Sequence, residues 1–289
     1  MKDLRSNSNR LNLANVENGS PIKTKPLIPA GMARVHAILG VWTVAVLAFL
    51  YLPIVLLSVY SFNASKWASA WHGFTLDWYL QLPHNQALID SLIHSLLVAI
   101  VTTLLATILG TMGAWVAHRY ETRYQKFLDA TLLLPVVMPE ILMGVSLLIF
   151  FATIKMQLGY ATLVISHTTF CFPFVLLAVK ARLAGMDASL EEAAMDLGAT
   201  PRAAFIRVIL PYLRPAIVSG ALMSFTLSLD ELIISYFVAG PDRQTLPMKV
   251  FSLARTGQNA TLNAVSTLLI LGTCVFVAVI TVLNRRSMQ

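Results

Sequence analysis

Charged residues are scarce in this chain: only 12% of 289 residues, against 57% hydrophobic. That balance excludes an ordinary soluble domain and points to an integral membrane protein. Cysteine is nearly absent. Cys171 and Cys274 lie in apolar stretches and form no CxxC pair, so they read as small buried hydrophobes, not as a disulfide framework or metal ligands. Glycine is never followed by lysine, so there is no Walker A loop and any ATP hydrolysis falls to a partner. HExxH and G-x-S-x-G are missing too, which leaves neither a zinc-hydrolase nor a serine-hydrolase signature. The six histidines are scattered, and His94 and His167, in or beside apolar spans, read as hydrogen-bonded packing. Nothing in the sequence asks for a metal or a cofactor, and no enzyme emerges.

What the chain does have is long apolar runs. A bilayer-crossing helix needs ~20 mostly apolar residues. Windows at about 37–60, 91–118, 156–179 and 256–284 meet this without an acid or base. The first is too long for the core of a cleaved signal peptide and reads as a signal anchor. Two more spans close only if acids are accepted inside the membrane. Ten residues separate Asp129 from Glu140, and fourteen separate Glu140 from Lys155, so a helix over 130–153 must carry Glu140 near its middle. Fifteen residues separate Arg214 from Asp230, so the next span must take in Asp230 and Glu231 and end near Val238. The expected fold is therefore all-α, with six transmembrane helices over 36–289 behind a polar cytoplasmic tail, 1–35.

Orientation follows from lysine and arginine. With the N-terminus inside, sixteen of them fall on the cytoplasmic side and five (Lys66, Lys155, Arg243, Lys249, Arg255) outside. Both termini are then cytoplasmic. The formal charge of +7 is a topology signal and no argument for nucleic acid. Small residues repeat every four positions at Ala106, Gly110 and Ala114, and again at Ala216, Gly220, Ser224 and Ser228, a spacing that lets helices approach closely in lipid. Pro135, Pro139 and Pro173 are expected to bend their helices.

One cytoplasmic stretch, 189–211, "SLEEAAMDLGATPRAAFIRVILP", is polar and punctuated. Ser189 and Glu192 fit a capping box, with acids at the helix start. Gly198 suits a left-handed helix end. Thr200 and Pro201 fit the cap and first position of a second helix, closed by Pro211 and Pro215. A connector lying on the bilayer would also be amphipathic, but two capped helices with small exposed residues suit a docking knob better.

The stretch resembles the EAA loop of ABC-importer permeases, carried by Glu192, Ala193, Ala194, Gly198, Leu210 and Pro211, with Val208 where isoleucine is usual. Further stretches, "LLLPVVMPEILMGVSLL", "HTTFCFPFV" and "FTLSLDELIISYFVAGP" among them, resemble permeases of polyamine importers, putrescine-type subunits in particular, over roughly 40–285. The resemblance implies a type I importer permease fold with a coupling-helix hairpin between helices 4 and 5. It also implies a sister permease in a heterodimer, two copies of a cytoplasmic ATPase, and a periplasmic polyamine-binding protein, all at a bacterial inner membrane. The residues expected to meet the ATPase are Glu191, Glu192, Ala193, Ala194, Asp196, Gly198 and Pro201.

Charge at a helix centre costs ~2.5–3.5 kcal/mol on insertion scales, so Glu140, Asp230 and Glu231 need a reason. They could pair with a sister subunit, or serve a cation in transit. No lysine or arginine lies within the six spans, which favours a polyamine passenger, with Phe225 and Tyr236 as aromatic wall candidates. A carrier coupled to ions or protons is the rival reading, because intramembrane acids also mark proton relays.

Overall fold

The computed structural model describes residues 30–66, 70–119, 125–187, 189–257 and 259–287. Most of the polar stretch 1–35 therefore lies outside the described residues. The chain forms two compact units, Met1–Leu57 and Ser58–Gln289. The first holds most of helix α1, Ala30–Tyr60, which is apolar around its circumference.

Among the described residues of the second unit, the regular structure is helical apart from an antiparallel bridge between Asn63 and Phe74. Its elements are α2 (Asp77–Gln81), a 3-10 turn (Leu82–His84), α3 (Gln86–Arg119), α4 (Gln125–Val137), α5 (Glu140–Thr153) and α6 (Tyr160–Ala184). They continue with α7 (Ser189–Asp196), α8 (Pro201–Ala204), a π turn (Phe205–Ile209), α9 (Leu210–Asp230), α10 (Ile233–Val238), α11 (Leu246–Arg255) and α12 (Asn259–Ser287). Among the described residues, α1, α3, α6 and the stretch Pro201–Asp230 are long and apolar enough to cross a membrane unbroken. α12 stands where the last span was expected, with Ala260–Val275 its described apolar part.

Two spans depart from expectation. The third is no single helix: Ala130–Val137 and Glu140–Thr153 meet at 111°. Pro139 adopts an extended backbone (φ −57°, ψ 131°); it lacks an N–H, and its ring disfavours helix at Met138. Glu140 is consequently the first residue of α5 and not the middle of a continuous helix. The fifth span does not run to Val238 either. α9 ends at Asp230, Glu231 is extended (φ −68°, ψ 109°), and a separate α10 begins at Ile233. Pro173, in contrast, is accommodated within an unbroken α6.

α3, α6 and α9 form the centre of this unit. Val98, Ala106, Val175, Val179, Ile209 and Leu213 belong to its buried core. The small-residue stripes sit where the backbones come closest. A Cβ on Gly110 would meet Val175 Cβ at 2.7 Å and the Leu176 amide nitrogen at 2.9 Å, and one on Gly220 would meet Val175 Cα at 3.0 Å. The short α10 packs on α5 and α6. The Val238 carbonyl accepts a hydrogen bond from Thr162 Oγ1 at 2.7 Å. Cys171 is buried as expected, but Cys274 is exposed on α12.

Candidate functional site

The hairpin over 189–211 is built from local signals. The Asp187 carboxylate accepts the Ser189 N–H at 3.0 Å, and the Asp187 carbonyl accepts that of Leu190 at 3.1 Å. Asp187, and not a Ser189–Glu192 capping box, therefore starts α7, since Ser189 is already helical. The same amide bond holds the Asp187 carboxyl below the usual aspartate range. At the other end the Gly198 N–H bonds the Met195 carbonyl at 2.9 Å and the Ala199 N–H bonds that of Ala194 at 3.1 Å. This is the paired closure of a Schellman turn, with Gly198 at φ +87°. Thr200 caps α8, its hydroxyl accepting the Ala203 N–H at 3.3 Å with Pro201 next in line.

Pro211 and Pro215 do not close this second helix. It runs through the π turn into α9. The Leu210 N–H reaches back to Phe205, a wider turn that gives the Pro211 ring space where an α-turn would clash with a carbonyl. Glu192, Ala193, Asp196, Gly198 and Pro201 lie exposed, and Ala194 is half-buried. Leu197 stands at the tip, 90% exposed. Glu191 turns inward and pairs with Arg119 at 2.6 Å, a contact that sequence reasoning missed. Arg182 lies over the Tyr212 ring at 4.2 Å, and the Tyr212 hydroxyl bonds the Gly185 carbonyl at 3.1 Å. The start of the segment between α6 and α9 is thereby fixed to α9.

Within the bundle, the acids gather at two helix breaks. Glu231 is buried and its Oε1 accepts the Ile234 N–H at 2.8 Å. Its carbonyl accepts from Ser235 Oγ, also at 2.8 Å. Ser235 Oγ is in turn 2.8 Å from His167 Nε2, and His167 Nδ1 is 2.8 Å from Ser228 Oγ. His167 is thus buried packing that ties α6 to both sides of the break, as its setting in the sequence suggested. Glu140 opens α5, on which α10 packs, and Asp230 directly precedes Glu231.

Asp230 itself is exposed, at the C-terminal end of α9. It lines a groove of about 560 Å³ with Thr226, Leu229, Val250, Phe251 and Thr273 among others. Phe225 and Tyr236 are not part of this lining. Phe225 is half-buried on α9, and Tyr236 is exposed on α10 beside Phe237. Phe251 is the aromatic that shares the groove with Asp230, and its helix, amphipathic α11, was not anticipated.

Residues 109–288, which include the hairpin and all three acids, match the family described as binding-protein-dependent transport system inner membrane component. The chain is 39% identical over 238 residues to the spermidine/putrescine transport system permease protein PotC of Escherichia coli strain K12, covering 82% of this chain and 90% of that one. It is likewise 39% identical over 240 residues to the putrescine transport system permease protein PotI of the same strain, covering 79% and 85%. A solved bacterial ABC transporter involved in the import of the acidic polysaccharide alginate superposes with a TM-score of 0.73 at 12% identity, over 89% of this chain and 99% of that chain. An amino acid ABC transporter superposes with a TM-score of 0.56 at 17% identity, over 74% and 100%. At such identities these two establish the fold. A fold shared with a transporter of an acidic polymer selects no substrate charge.

Proposed function

Because the chain belongs to the family of binding-protein-dependent transport system inner membrane components, we propose that it is the permease subunit of an ATP-driven importer that moves polyamines, putrescine first and spermidine second, from periplasm to cytoplasm. The observation that carries the substrate is the 39% identity, along 90% of its length, to a permease named for spermidine and putrescine. Family membership also sets aside a carrier coupled to ions or protons. The remaining parts follow from the importer reading: a sister permease completing a heterodimer, two ATPase copies beneath, a periplasmic polyamine-binding protein above, and both termini in the cytoplasm.

In this reading the exposed face of α7 and the Leu197 tip dock on the ATPase. Motion there passes through the continuous π turn into α9, whose far end carries Asp230. A polyamine is a row of ammonium groups separated by methylenes. The Asp230 groove offers one carboxylate, two hydroxyls and apolar walls including Phe251, which suits an ammonium beside a methylene run. Glu140 and Glu231 sit at helix starts, where the dipole itself favours negative charge; they shape the path and add to its potential. Phe225 and Tyr236 are secondary candidates.

The test is substrate-stimulated ATP hydrolysis and uptake by the purified importer in proteoliposomes, with diamines, polyamines and amino acids. Polyamines should stimulate and amino acids should not. Asp230→Asn should leave assembly and unstimulated hydrolysis intact and lower polyamine uptake by about ten- to a hundred-fold, the scale of one charge-assisted hydrogen bond at the rate-limiting step. Stimulation by amino acids alone would sink the substrate assignment, and wild-type uptake by Asp230→Asn would remove that residue from the path.

A further inference from the structure

An ion pair joins the end of α3 to the start of α7. Arg119 is the last residue of α3, and its guanidinium lies 2.6 Å from the Glu191 carboxylate. Glu191 is only 8% exposed, while its neighbours Glu192 and Ala193 face outward. Helix capping does not require this inward turn, because Asp187 already takes the first amide of α7. One turn back along α3, Trp115 packs on Phe205 of the π turn with ring centroids 5.1 Å apart. Residues four apart share a helix face, so one face at the end of α3 holds the hairpin twice. α3 is itself locked to α6 at Gly110.

We infer that Arg119 and Glu191 form a strut that sets the angle of α7 against the bundle. Movement of α7 is then delivered to α3 as well as through the continuous helix to α9. Without the strut, α7 keeps only its packing on the π turn and α8, and the glycine turn at Gly198 is left as its pivot. A partly exposed pair contributes little to stability, so its effect belongs to geometry. Arg119 and Glu191 are in this sense positioning residues, and the inference rests on the importer reading of α7 as the helix that meets an ATPase.

The experiment uses the whole importer in proteoliposomes with its binding protein, and reads polyamine taken up per ATP hydrolysed. Arg119→Glu and Glu191→Arg should each lower that ratio by about tenfold, inside the range typical of coupled sites, while the ATPase still co-purifies. The double charge swap should recover most of the ratio. Recovery will be incomplete, because an arginine in the first turn of α7 opposes the helix dipole. The milder Glu191→Gln and Arg119→Gln, which keep side-chain size, should fall in the same direction. Wild-type ratios in the single variants, or a double swap no better than the worse single, would overturn the strut. Loss of the ATPase from Glu191→Gln would also overturn it, placing Glu191 in the docking face instead. A wild-type chain that brings down no ATPase would overturn the importer reading, a failure visible before any variant is made.

Discussion

Replacing Gly110 by alanine tests whether the α3–α6 contact is as close as the structure places it. The new Cβ would lie 2.7 Å from Val175 Cβ and 2.9 Å from both the Leu176 amide nitrogen and the Phe172 carbonyl oxygen. Ordinary carbon contacts sit near 3.5–4.0 Å, so the helices must part by roughly 1 Å. Two of the three atoms are backbone and cannot rotate aside. Overpacking of this kind costs ~1–3 kcal/mol, offset by up to ~1 kcal/mol from alanine's better helix propensity.

Two other glycines calibrate the effect. A Cβ on Gly220 would meet Val175 Cα at 3.0 Å, and one on Gly113 would meet only the Leu176 Cδ1 methyl, at 3.2 Å. The destabilisation should therefore rank Gly110→Ala, then Gly220→Ala, with Gly113→Ala near neutral. Heating the detergent-solubilised importer and measuring the surviving assembled fraction gives the midpoint, which should drop by about 2–4 °C per kcal/mol. A Gly110→Ala midpoint no lower than that of Gly113→Ala would refute the close approach.

Gly198→Val should strain the φ +87° turn and loosen the ATPase in co-purification, whereas Gly198→Asn, which tolerates that conformation, should retain it. Retention of the ATPase by both would show that the turn geometry is not what docking needs. Thr200→Ala removes the cap on Ala203 and should cost ~0.5–2 kcal/mol, read as faster proteolysis within the hairpin; an unchanged cleavage rate would count against that cap. His167→Leu strands the Ser228 hydroxyl in the core and leaves Ser235 only its bond to the Glu231 carbonyl, and should cost ~1–3 kcal/mol in the same heating assay; unchanged stability would count against the network.

The hairpin was legible because every signal in it is local. A glycine that permits positive φ and a Thr-Pro start act within a few residues, and so does Asp187, just upstream of 189–211. The break at Pro139 was legible too, since two prolines four apart preceded an acid, but counting residues to fill a bilayer favoured one long span. The break after Asp230 carries no such mark. Neither proline nor glycine adjoins it, and what holds it is His167 on α6, bonded to serines on both sides. The Arg119–Glu191 pair is likewise tertiary, and no spacing announces it.

The acids show how far the same physics reaches. An ionised group inside a bilayer demands compensation, and with no lysine or arginine in the expected spans a passing cation is one source. Helix starts supply another. Glu140 opens α5, and Glu231 binds an amide of α10, so the fold accounts for part of both charges before any substrate arrives. Asp230 has no such account. It ends α9, where the helix dipole opposes a negative charge, and it faces the groove without a cation of its own among the lining residues. Of the three carboxylates it is the one at the end of a helix where the dipole opposes it, and hence the one whose charge a cationic passenger would best explain.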